Sequence, residues 1–200
     1  ILPDFSVEVS SAKKDSLKLI YSKVYQNLGR VNLNGKFSKI GVAFQALGIQ
    51  HFISKNYSEV FPEPINLINP FGAEFGQVLN RVFLTASISE KANLLDKFFQ
   101  QQYLGFEEER MIGAVNKIIE SKGVISVSAL ASSLNFHRKT LLRLFQKHLD
   151  CSVEEYRKLV RFRFALEKIK QSSDVNLTAI SADYYYDQSD FIKQFKKLTQ

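Results

Sequence analysis

The sequence predicts an α+β N-terminal part, strand-rich at its start and helical afterwards, followed by an all-α part with two helix–turn–helix units joined by a long helix. Three observations carry this reading. Short alternating apolar stretches with turn residues between them occupy the region before about residue 45. From Phe75 onward apolar residues recur at helical spacing. Near the C-terminus, two pairs of helical segments each place a basic outer face behind a tight turn.

Taken in order, "VNLNGKF" (31–37) sets Asn34-Gly35 between apolar positions, a hairpin signal. In "KIGVAF" (39–44), Ile40, Val42 and Phe44 alternate as in a half-buried strand. "FPEPINLINPFG" (61–72) holds Pro62, Pro64 and Pro70 and is expected to be loop, because proline has no N–H to give to a ladder. Phe75, Val78, Leu79, Val82 and Phe83 then mark one helix face. Ser89 is placed to cap a helix reaching about Leu104, with Leu94, Leu95, Phe98 and Phe99 inward. The charged junction "LGFEEER" (104–110) divides the chain into 1–104 and 105–200. Helices are expected beyond it at 107–122 (stopped by Gly123), about 127–134, 138–149, 153–171, 178–184 and 188–199.

Composition narrows the classes. Hydrophobic residues are 45% and charged residues 24% of 200, enough apolar surface for a packed core. No apolar run approaches about 18 residues, so no membrane span is expected. The start "ILPDFSVEVS" lacks the basic-then-apolar pattern of a signal peptide, and its missing Met suits a fragment. Cys151 is the one cysteine, so no internal disulfide forms, and a cytoplasmic setting is expected. The net charge of +7 says little by itself, but its placement says more. Residues 1–104 hold 11 Lys/Arg against 8 Asp/Glu, whereas 137–170 hold 10 against 4.

That basic segment includes "SVSALASSLNFHRKTLLRLFQKHL" (126–149). Ser126 can cap a short helix with Val127, Leu130, Ala131 and Leu134 inward. Asn135 stands at the turn, where the left-handed conformation is needed and Asn tolerates it. The next helix turns Leu141, Leu144, Phe145 and Leu149 inward and Arg138, Lys139, Leu142, Arg143 and Lys147 outward. A DNA major groove accepts such a helix, and the cations can meet guanine edges or phosphates. Ser152 and Glu155 form a capping box for the joining helix, whose apolar stripe is Tyr156, Leu159, Phe162, Leu166 and Ile169. In "LTAISADYYYDQSDFIKQFKK", Leu177 and Ile180 are expected inward on a first helix. Asp187 would cap a second, with Phe191 and Phe195 buried, Gln188, Ser189, Ile192, Lys193 and Lys196 outward, and Tyr184–Tyr186 packing the turn.

From "LASSLNFHRKTLLRLFQKHLDCSVEEYRKLVRFRFALEKI" through "LTAISADYYYDQSDFIKQFKKLT", residues of about 110–200 resemble the C-terminal DNA-binding domain of AraC/XylS-type transcription regulators. The resemblance implies two recognition helices reaching successive major-groove turns, about 34 Å apart. It implies base-facing positions at Lys139, Leu142 and Arg143 and at Gln188, Ser189 and Lys193. Arg138, Thr140, Lys147, Ser189 and Lys196 would mostly hold phosphates. Three departures stand out. "SADYYYDQ" lacks the family's turn glycine and is one residue short; Asp190 replaces a common His; and Gln200 ends the chain before the usual closing helix. "ILPD", "IGVAFQALGIQHF" and "NPFGAEFGQVLNRVF" are similar to a regulatory domain that precedes some AraC-type domains, implying an effector sensor or a dimer contact.

The remaining conspicuous residues have plainer readings. His51, His137 and His148 lack metal spacing, Cys151 reads as a structural thiol, and Glu107, Glu108 and Glu109 suit a helix start. Phe98, Phe99 and Tyr103 read as core or dimer seam. No phosphate loop, HExxH or nucleophile elbow is present, so an enzyme is not expected and no cofactor is implied. The expected partner is double-stranded DNA, with a small-molecule effector and a homodimer left open. The alternative is a ligand-binding or dimerising module with a degenerate, non-specific DNA-binding half.

Overall fold

A computed structural model describes residues 5–10, 19–23, 29–34, 38–63, 65–171 and 177–199. The described residues divide into two compact units, one ending at Glu107 and the other beginning at Glu108. No helix among them is long and apolar enough to cross a membrane.

In the N-terminal unit, β1 (Phe5–Ser10) pairs in parallel with β3 (Gly29–Asn34), with Phe5 opposite Gly29 and Ser10 opposite Asn34. β2 (Tyr21–Ser22) pairs antiparallel with β4 (Ile65–Asn66). Among the described residues, β1 and β3 are six residues long, whereas β2 and β4 are only two. Gly35–Phe37, the far half of the hairpin signal, lies outside the described residues. The expected strand at 39–44 is absent: those residues form no regular element, and Ile40 and Val42 are exposed. Alternation alone does not make a strand without a neighbour to take its hydrogen bonds. Otherwise the described residues of 61–71 are loop, apart from β4, as Pro62 and Pro70 imply, and Gly72 already begins a helix.

A short 3-10 turn (Gly48–Phe52) and α1 (Tyr57–Val60) bury Ile49, Ile53, Tyr57 and Phe61 together. Tyr21 stacks on Phe61 at 3.7 Å and its hydroxyl meets that of Tyr57 at 3.1 Å. α2 (Gly72–Leu84) and α3 (Ile88–Gln101) pack together through Phe75, Leu79 and Phe98. Phe75 and Phe98 stack at 4.7 Å. Phe83, expected inward, is exposed. The cap of α3 is Ser87, not Ser89: its Oγ accepts the Glu90 N–H at 3.3 Å, and the helix ends at Gln101 rather than near Leu104. Ser87 and Glu90 have capping-box spacing, a stronger start signal than Ser89 offers.

The C-terminal unit is all helix: α4 (Glu109–Glu120), α5 (Val127–Ser133), α6 (Arg138–Leu149), α7 (Val153–Gln171), α8 (Leu177–Tyr184) and α9 (Gln188–Thr199). α7 packs against α4, α6, α8 and α9, so one rod supports both helical pairs. On the first side, Met111, Ala114, Val115 and Ile118 of α4, Leu130 and Ala131 of α5, and Leu141, Phe145 and Leu149 of α6 are buried. On the second, Ala165, Ile180, Tyr184, Tyr185 and Phe191 form a core flanked by Phe164, Ile169 and Phe195.

The local signals behave as capping chemistry requires. Ser126 Oγ accepts the Ala129 N–H at 3.1 Å. Ser152 and Glu155 cap each other reciprocally, at 2.8 and 3.2 Å. Asp187 Oδ1 accepts the Asp190 N–H at 2.7 Å. α4 stops at a bend in which Lys122 and Gly123 both take positive φ, 53° and 77°. Two expectations fail here. Leu177 is exposed rather than inward, and Tyr186 is 94% exposed, so only two of the three tyrosines pack the turn.

Candidate nucleic-acid interface

α6 sorts its side chains onto two faces. Lys139, Leu142, Arg143, Gln146 and Lys147 are exposed and spaced i, i+3, i+4, i+7, i+8, which is one stripe of a helix. Leu141, Phe145, His148 and Leu149 lie buried on the other side. Arg138 and Thr140 flank the stripe and are also exposed. The Arg138 guanidinium donates to Ser128 Oγ, tying α5 to the start of α6. His137 is the N-cap residue but makes no side-chain cap bond.

α5 and α6 are joined by Leu134–His137, with Asn135 at φ 54°. That left-handed residue reverses the chain sharply enough to bring α6 across α5. The ring of Phe136, in the same turn, lies 5.1 Å from the Arg110 guanidinium.

α9 repeats the pattern with a thinner charge. Gln188, Ser189, Ile192, Lys193 and Lys196 are exposed, while Phe191 is buried and Phe195 half-buried. Its turn is Tyr185–Asp187, one residue shorter than the first turn, and no left-handed residue occurs in it. Its N-terminus is also acidic where that of α6 is basic. Asp187 caps it, and the Asp190 carboxylate accepts the Gln194 amide at 2.7 Å. The first turn of α6 thus carries cations and no carboxylate, whereas the start of α9 carries two carboxylates.

All ten sequence-derived residues lie on exposed helix surface, six on α6 and four on α9. Gln146 completes the α6 stripe and was missed, although its i+7 relation to Lys139 could have found it. Ile192, expected outward, is exposed on α9.

The other candidates are placed less suggestively. Cys151 is buried, and burial first, with Glu155 and Asp150 adding, pushes its thiol up to about 12. No cluster of three or more His, Cys, Asp or Glu among the described residues could hold a metal. In the N-terminal unit Phe98 is core, while Tyr103 is exposed and lies flat on His51 at 5.1 Å.

The fold and this face define a helix-turn-helix DNA-binding module. Residues 130–200, from within α5 through α9, match the family model described as a helix-turn-helix domain, of the AraC type. Residues 130–200 thus carry a helix-turn-helix domain of the AraC type, which supports DNA binding and transcription regulation. No curated protein and no solved structure matches it.

Proposed function

We propose that this regulator reads specific DNA sequences by inserting α6 and α9 into successive major grooves, about one helical turn apart. The observation that carries the reading is the pair of exposed stripes of like spacing on two helices held by the same rod, α7. Lys139, Arg143, Gln188 and Lys193 would read base edges; Arg138, Thr140, Lys147, Ser189 and Lys196 would hold phosphates, with Leu142 in apolar contact. The N-terminal unit would sense an effector or join two copies.

The test selects bound sequences from a random duplex library with the full chain, then footprints the best duplex. Two protected half-sites one helical turn apart are expected. Arg143→Ala should cost about 1–3 kcal/mol on that duplex and relax preference at one base pair. Equal losses on selected and random DNA would contradict Arg143 as a base reader.

A second reading is favoured by Asp190 and by the shortened turn before α9. In it the second unit is degenerate and only α6 engages a groove. A single protected half-site would establish it.

A further inference from the structure

At one place in the C-terminal unit, the bend after α4, the middle of α7 and the turn before α9 come together. The bend is pressed onto α7: a Cβ on Gly123 would lie 2.5 Å from the Arg157 carbonyl oxygen and 2.7 Å from Arg161 Cγ. Arg157 donates to the Val124 carbonyl at 3.1 Å and to Glu154. Arg161 shares that carboxylate at 3.5 Å. On its other side the Arg161 guanidinium lies 5.5 Å from the centre of the Tyr185 ring. Tyr185 in turn packs edge-on against Phe191 of α9 at 5.1 Å. Val124 lies two residues before the cap of α5, so these contacts run from the first helical pair to the second through Arg157, Glu154 and Arg161.

The composition of this node is unusual for mere packing. Arg161 is mostly buried, with a side chain 12% exposed, and its Nε has no acceptor among the described residues. One carboxylate serves two guanidinium groups. A buried charge so sparsely compensated contributes little to stability, and apolar replacements of similar volume are often neutral or better. What a planar guanidinium between a carboxylate and an aromatic face does supply is a defined direction.

We infer that Arg161 is a positioning residue that fixes α9 relative to α6, and so sets the half-site spacing the regulator accepts. The inference rests on the two-groove reading above. Arg161 touches no DNA in this scheme; it acts through Tyr185.

The experiment uses the full chain and the selected duplex, together with versions carrying one base pair more or fewer between the half-sites. The wild type should lose about tenfold in affinity on either change, because a rigid pair of helices cannot follow the altered rotation and rise. Arg161→Met keeps the stem against Gly123 and removes the charge. It should bind the original duplex several-fold more weakly and lose less than about threefold on either spacing change. Tyr185→Leu reads the same contact from the other side, should Arg161→Met fail to fold, and should flatten the profile likewise. An unchanged spacing profile in both variants, with or without a uniform drop in affinity, overturns the inference and leaves the two-groove reading intact. A flat profile in the wild type overturns both.

Discussion

Gly123→Ala is the most direct test of the C-terminal unit's architecture. Gly123 has φ 77°, a region that costs an L-residue roughly 1–2 kcal/mol. The added methyl would also meet backbone, 2.5 Å from the Arg157 oxygen and 2.9 Å from the Arg161 nitrogen. Backbone inside a helix cannot swing aside as a flexible side-chain end can, so the bend must lift from α7, an overpacking cost of about 1–3 kcal/mol. Together these give about 2–5 kcal/mol. For a unit of this size that lowers the melting temperature by about 10 °C or more. The measurement is thermal unfolding of the full chain followed by circular dichroism. Gly113→Ala is the control: it sits inside α4, its Cβ would meet only Leu134 Cδ2 at an ordinary 3.7 Å, and it should stabilise by about 0.5–1 kcal/mol. If the two variants melt within a few degrees of each other, the close seating of the bend on α7 is wrong.

Other consequences are equally open to measurement. Lys147→Ala should weaken selected and random duplexes alike and reduce the slope of log affinity against log salt by about one, read from titrations at several salt concentrations. Asp190→Asn removes a carboxylate from the start of α9 and should raise affinity for all duplexes about two- to fivefold at low salt, less at high salt; no gain would mean that α9 does not approach phosphate. Burial, and secondarily Lys147, lower the His148 pKa, with Glu108 opposing. Below about pH 6.5 the unfolded chain therefore takes up a proton that folded His148 resists, and stability falls as pH drops. Urea midpoints should decline from about pH 7 to about pH 5.5, and the decline should be smaller in His148→Gln.

The helical half was largely legible because its signals are local. Ser126, the Ser152–Glu155 box and Asp187 each act within three residues of themselves, and the apolar spacing of α6 and α7 needs no knowledge of distant partners. The exposed stripe on α6 followed from the same spacing. Most of what failed depended on something far along the chain. Ile40, Val42 and Phe44 alternate as a strand would, but whether they pair depends on another segment. Three consecutive tyrosines do not reveal which one faces water; α7 and α9 decide that Tyr184 and Tyr185 are covered and Tyr186 is not. Nor can a sequence pattern show that Arg157 is buried, since its partner carbonyl at Val124 lies 33 residues away. Ser87 was the avoidable miss, because Glu90 stood at the right distance to mark it.

The shortened turn before α9 has a bearing on how this regulator's preferences could be rewritten. Each residue dropped from a count along a helix shifts the inferred facing direction by about 100°. Counted across its turn from the helix before it, a side chain on α9 therefore stands one residue earlier than its equivalent on α6, whereas counted from each helix's own first residue the two exposed stripes coincide. A substitution that retunes one helix is carried to its sister by counting from the start of the helix, not from the helix before the turn. Redesign of this protein must align the two through their inward anchors, Leu141 and Phe145 on α6 and Phe191 and Phe195 on α9.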